Sequence, residues 1–154
     1  MRAVVVRVKK AAVTSDGGQT RGIGLGLVVF LGVREGDNLA LCQKLAEKCA
    51  HLRVFEDADE KMNLSAVELS YEMLVIPNFT LYADTKKGKR PSFIAAAKPP
   101  LSVDCYNEFV RLVGGQGLAK VVTGEYGADM QVEVHNDGPI TIILDTEEWS
   151  RKDI

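Results

Sequence analysis

The chain has 154 residues, 46% of them apolar, with 19 basic against 21 acidic side chains and a net charge of −2. That suffices for one self-sufficient core and not comfortably two, and it excludes disorder, which needs low hydrophobicity with high net charge. The longest uncharged apolar stretch, Ile23 to Val33, is too short and too glycine-rich to span a membrane, and the charge balance argues against a protein that coats DNA.

Val4, Val6 and Val8 share one face of the first segment while Val5, Arg7 and Lys9 share the other, which predicts a strand with a single core face. Arg2, Arg7, Lys9 and Lys10 also break any signal-peptide pattern there, so a cytoplasmic location is expected. Ser15-Asp16-Gly17-Gly18 marks a turn. Leu25 to Val33 predicts a strand buried on both sides. Asp37-Asn38 caps a helix carrying Leu41, Leu45, Cys49 and Leu52. Leu52 to Phe55 and Met73 to Ile76 read as short strands. Pro99-Pro100 precedes a second helix, N-capped by Ser102, that buries Val103, Tyr106, Phe109, Val110 and Val113 and stops at Gly114-Gly115. Met130, Val132 and Val134 alternate, and after Asn136-Asp137-Gly138-Pro139 the alternation resumes at Ile140, Ile142 and Leu144, as for two strands around a turn. Strands outnumber helices without alternating regularly with them, so the class is α+β.

Several motifs fail on their own chemistry. Gly22-Ile23-Gly24-Leu25-Gly26 leads into a strand, where a dinucleotide fingerprint needs a helix N-terminus. Gly114 to Lys120 lacks the Gly-Lys-Ser/Thr of a phosphate loop. Asp57, Asp59, Asn63, Ser65 and Glu68 match calcium-loop positions, but Lys61 and Met62 occupy places that need a ligand and a glycine. Cys42, Cys49 and Cys105 form no Cys-x-x-Cys and fit a reducing compartment as small packed hydrophobes. His51 and His135 cannot complete a metal cluster with these spacings, so neither metal nor cofactor is expected. There is no Gly-x-Ser-x-Gly elbow for triad chemistry.

Three segments carry the signal: Pro77 to Thr85, its continuation Lys86-Lys87-Gly88-Lys89-Arg90-Pro91-Ser92-Phe93, and Asn136-Asp137-Gly138-Pro139-Ile140-Thr141 preceded by Gly127-Ala128-Asp129-Met130. With the opening Met-Arg-Ala-Val, with Leu52 to Asp57 and with Lys61 to Ser65, they resemble the D-aminoacyl-tRNA deacylases of the Gly-cis-Pro type. The resemblance runs from Met1 to about Asp145 and implies one domain over 1–146 with a tail at 147–154. It implies a mostly antiparallel, barrel-like sheet packed by two main helices, in a homodimer with active sites at the interface. The implied reaction is hydrolysis of the ester between a D-amino acid, or glycine, and the 3′-terminal adenosine of tRNA.

By the same resemblance Gly138-Pro139 enters the partner's active site and its main-chain carbonyls exclude an L side chain; from composition alone it is more often a plain turn between two strands. Thr80 occupies the place of a proposed nucleophile, yet a hydroxyl without a base is a poor one. The favoured account has the adenosine 2′-OH assist, with main-chain N–H groups around Phe79 and Thr80 stabilising the oxyanion. Arg7 supports the Gly-Pro segment, or is simply the polar face of strand one. Tyr126 and Met130 line the adenosine end, or are plain core residues. Lys86, Lys87, Lys89 and Arg90 clamp tRNA phosphates, or form a solvated loop. The family's usual Ser-Gln before Phe-Thr-Leu is Pro77-Asn78 here, a pattern whose proline also occurs in a branch acting on mischarged L-alanyl-tRNA. That branch's activity, a non-catalytic tRNA-binding module, and a hydrolase of small esters are the alternatives.

Overall fold

The computed structural model describes residues 1–149; from Ser150 on, the expected tail lies outside the described residues. The strands are β1 (Arg2–Ser15), β2 (Thr20–Ile23), β3 (Gly26–Gly32), β4 (Phe55–Glu56), β5 (Met62–Leu64), β6 (Glu72–Pro77), β7 (Lys120–Thr123) and β8 (Met130–Asp145). Two helices, α1 (Leu39–His51) and α2 (Leu101–Gly114), interrupt them. Six strands form one sheet in the order β2-β1-β3-β6-β7, with β8 on the other edge of β1, while β4 and β5 make a separate hairpin. β1 pairs antiparallel with β2, β3 and β8, whereas β3–β6 and β6–β7 are parallel. Arg21 on β2 donates to the Thr123 carbonyl of β7 at 3.0 Å, joining the two ends of the strand order and nearly closing the sheet into a barrel.

β1 corrects the single-face expectation. Ala3 and Val5 pack with the helices, while Val6, Val8, Ala11 and Val13 fill the inside of the curl with Ile23, Val28, Leu74 and Ile76. A strand with neighbours on both edges and layers on both faces leaves Arg7 only 8% exposed. β3 is buried on both sides as its unbroken apolar run requires. At Gly26 a Cβ would stand 1.9 Å from the Glu72 carbonyl oxygen, so β3 and β6 pair there only because this residue has no side chain.

α1 begins where Asn38 Oδ1 accepts from the Leu41 N–H at 3.3 Å, and it buries Cys42, Leu45 and Cys49. α2 starts at Leu101, after a cis Pro99-Pro100 bond, so Ser102 lies inside the first turn and does not cap it. Its buried stripe is Cys105, Tyr106, Phe109 and Val113; Val103 and Val110 are only partly covered. The strand expected over Leu52 to Phe55 is reduced to Phe55–Glu56, because Val54 spends its carbonyl on Arg7 rather than on a ladder.

β8 corrects the two-strand reading. It is one strand that stays on β1 throughout, with Val6 opposite Thr141 and Val8 opposite Asn136. One residue of β1, Arg7, therefore faces four of β8, Asp137 to Ile140, which bulge out of the sheet. After β8, Thr146–Glu148 forms a short 3-10 turn in which Asp145 accepts from the Glu147 N–H at 3.0 Å, and Trp149 packs partly against the core.

Candidate active site

Pro77 ends β6, and the Asn78 N–H prolongs the ladder by donating to the Leu31 carbonyl at 2.8 Å. The chain then closes into a 3-10 turn, Phe79–Tyr82. Such a turn leaves its first N–H groups without internal acceptors. Those of Phe79 and Thr80 have no acceptor among the described residues. The two residues belong to the wall of an open cleft of about 600 Å³, lined also by Pro77, Asn78, Pro99 and Tyr126 to Met130. Two unspent donors side by side are what an oxyanion needs.

The Thr80 hydroxyl donates to Asn78 Oδ1 at 2.6 Å. A carboxamide oxygen holds the hydroxyl but cannot take its proton as a base. Asn78, shorter than the glutamine of the resemblance, is thereby tied to Thr80. Tyr126, 37% exposed at the rim, shares a 2.6 Å hydrogen bond with Ser102 in α2, which gives that buried hydroxyl a partner and fixes the ring. Met130 opens β8 at the same wall.

One residue that holds this turn was not singled out from sequence. Arg2 donates to the Leu81 carbonyl at 2.6 Å and to Asp145 at 2.9 Å, and its guanidinium lies 4.7 Å from the Tyr82 ring centre. It ties the turn to the end of the β1–β8 pair where β1 begins and β8 stops. A charged side chain in the second position of a chain carries no local signal of such a role.

Gly138-Pro139 is cis and exposed on the β8 bulge. Gly138 has φ +133°, and a Cβ there would lie 2.7 Å from the Ile140 nitrogen, so only glycine fits. The bulge is built from both sides. Asn136 accepts from the Ile140 N–H at 3.1 Å and donates to Thr141 Oγ1 at 2.9 Å, closing its neck. Arg7 donates through Nε to the Asp137 carbonyl at 3.1 Å and through Nη1 to the Val54 carbonyl at 2.8 Å. Neither Gly138 nor Pro139 lines the Phe79–Thr80 cleft; within one chain the two features face different spaces.

Lys86, Lys87, Lys89 and Arg90 sit on an exposed loop closed by paired main-chain hydrogen bonds between Asp84 and Ser92. A shallow depression of about 610 Å³ beside Lys48, His51, Arg53 and Gln116 offers only a His51–Gln116 contact at 3.1 Å. His135 lies exposed on β8. Among the described residues no group of three or more His, Cys, Asp or Glu is placed to hold a metal ion, and no helix is long and apolar enough to cross a membrane. Asp57 closes the β4–β5 turn by accepting from Asp59, Lys61 and Asn63, and these bonds hold its carboxyl below the usual range.

The family model for the D-Tyr-tRNA(Tyr) deacylases matches residues 4–145. The chain belongs to the D-Tyr-tRNA(Tyr) deacylase family. A D-aminoacyl-tRNA deacylase of Dehalococcoides mccartyi is 49% identical over 148 residues, covering 96% of both chains. One from Fervidobacterium nodosum is 48% identical over 147 residues, covering 96% of this chain and 98% of its own. Among solved structures, the c-Myc DNA unwinding element binding protein superposes with a TM-score of 0.87 at 37% identity, over 94% of this chain and 98% of its own. A probable eukaryotic D-amino acid tRNA deacylase has the same fold, with a TM-score of 0.82 at 12% identity over 93% of this chain. The match to the deacylase family spans the cleft, the basic loop and the β8 bulge alike.

Proposed function

We propose that this protein hydrolyses the ester joining a D-amino acid, or glycine, to the 3′-terminal adenosine of tRNA, acting as a homodimer. The observation that carries the reading is the separation of two halves of a site. Phe79 and Thr80, whose N–H groups have no acceptor among the described residues, line an open cleft, while the Gly138-Pro139 bulge projects from another part of the same chain. A bulge from one copy entering the cleft of the other completes the site. Its main-chain atoms then occupy the space an L side chain would need, and glycine, with no side chain, passes.

In this reading the Phe79 and Thr80 N–H groups stabilise the charge that develops on the ester carbonyl. The Asn78–Thr80 hydrogen bond orients the turn, and the attacking oxygen is water placed with help from the adenosine 2′-OH. Tyr126 and Met130 bound the adenosine, and Lys86, Lys87, Lys89 and Arg90 hold phosphates. The Asn-Asp-Gly-Pro context favours the D-specific activity over the L-alanyl one.

Matched D-tyrosyl-, L-tyrosyl-, L-alanyl- and glycyl-tRNA test it. D-tyrosyl- and glycyl-tRNA are to be cleaved and both L forms spared; glycyl-tRNA as resistant as L-alanyl-tRNA refutes the filter. A Gly138→Ala chain and an Asn78→Ala chain, each impaired alone, are to regain activity when mixed and refolded together. No recovery in verified mixed dimers refutes the shared site.

A further inference from the structure

Phe79 and Phe93 are 54% and 37% exposed, yet they touch edge to face with ring centres 5.2 Å apart. Single exposed apolar residues are ordinary, whereas paired aromatics beside a cleft form a patch with a purpose. Phe79 opens the turn that lines the cleft. Phe93 directly follows Ser92, which with Asp84 closes the cationic loop through hydrogen bonds of 2.8 and 2.9 Å. The order across the surface is therefore cleft, Phe79, Phe93, then four cations. Among the described residues none of those four makes an ion pair. Aromatic faces adjoining unpaired cations are the combination that holds single-stranded nucleic acid, with bases on the rings and phosphates on the charges.

We infer that Phe93, supported by Phe79, is a stacking platform for the unpaired nucleobase immediately 5′ of the terminal adenosine. The inference rests on the deacylase reading, which seats that adenosine in the cleft. A strand leaving the cleft toward the cations crosses the two rings, and the first base it carries meets Phe93. Stacking is indifferent to base identity, because every base has a π-face, so the platform adds affinity for any acceptor end without selecting its sequence.

The test combines two perturbations in the full-length protein, Phe93→Ala and an abasic nucleotide at the penultimate position. Binding of an uncharged acceptor-stem RNA and deacylation of D-tyrosyl-tRNA are both read. Each perturbation alone is expected to weaken binding roughly tenfold. Together they are expected to weaken it no further, because either one already removes the stack. Phe93→Trp restores affinity, and Phe93→Leu, which keeps apolar volume for folding, does not. Multiplying losses, or no loss from the abasic RNA, overturn the platform. A Phe93→Ala protein with changed oligomeric state also overturns it, since the patch is then a subunit contact. Intact deacylation without coupling sinks the platform alone, while coupling without deacylation by the unaltered protein sinks the enzyme reading and leaves the platform standing.

Discussion

Arg7→Met removes the guanidinium that fills the gap where one residue of β1 faces four of β8. Two charge-assisted hydrogen bonds go with it, to the carbonyls of Val54 at 2.8 Å and Asp137 at 3.1 Å. Bonds of this kind contribute about 1.5–3 kcal/mol each. The contacts with Glu56 at 3.8 Å and the Asp137 carboxylate at 3.5 Å involve partly exposed acids and add at most about 1 kcal/mol. Methionine keeps the apolar stem in place, and the Asp137 carbonyl on the bulge regains water. The net loss is therefore expected at about 2–4 kcal/mol, read from urea unfolding, and the protein stays folded. Activity is expected to suffer more than stability. Without its anchor the Asp137-Gly138 backbone shifts, and a displacement near 1 Å in a positioning element costs about a hundredfold in kcat/KM. Arg7→Lys, which can reach one carbonyl, is to lie between. Asp137→Ala, which keeps the carbonyl, is to cost under about 1 kcal/mol. A destabilisation by Arg7→Met below about 1 kcal/mol, or a kcat/KM within about twofold of the unaltered protein, refutes the anchoring argument.

Gly26→Ala sets a methyl 1.9 Å from the Glu72 carbonyl oxygen in a central strand pair, so a loss above about 3 kcal/mol is expected, seen as a large drop in Tm or insoluble expression. Replacing Lys86, Lys87, Lys89 and Arg90 singly by glutamine is to raise KM and flatten its salt dependence by up to about 0.7 log units per lost phosphate contact; an unchanged slope removes the clamp. The thiol of Cys42 is pushed by burial, reinforced by Cys105, from an ordinary 9.0 up to about 12, and burial likewise raises Cys49, Tyr82 and Tyr106. Because each native group keeps its proton after the unfolded chain has lost it, stability is whole below pH 9. It falls by about 1.4 kcal/mol per pH unit per thiol between pH 9 and the native value. Equal unfolding free energies at pH 8 and 10.5 contradict this.

What was legible in the chain tracks how local its cause is. β3 announces itself because burial on both faces forbids polar residues, and α1 because Asn38 and the spacing of Leu41, Leu45 and Cys49 lie within four turns. The β8 bulge was not legible, because alternation reads the same for two strands around a turn and for one strand that swells. Only the register with β1, set more than a hundred residues away, separates them. The pattern of β1 alone reads Arg7 as its polar face, and only the resemblance points to the Gly-Pro segment, because its two carbonyl partners are 47 and 130 residues distant. Ser102 has the local marks of a helix cap, but α2 is capped at Pro100, two residues earlier, and the hydroxyl pairs with Tyr126. The site itself is the extreme case. The parts proposed to do its work, two N–H groups on a 3-10 turn and the main chain of a bulge, are backbone that almost any residue type supplies, so composition cannot reveal them and only motif spelling could. The proposed backbone centre is also in keeping with the net charge of −2 and the scarcity of histidine. A centre made of backbone needs no charged side chain to do chemistry, only residues that shape the backbone: glycine at 138, asparagine at 78 and 136, and arginine at 2 and 7 to hold the carbonyls.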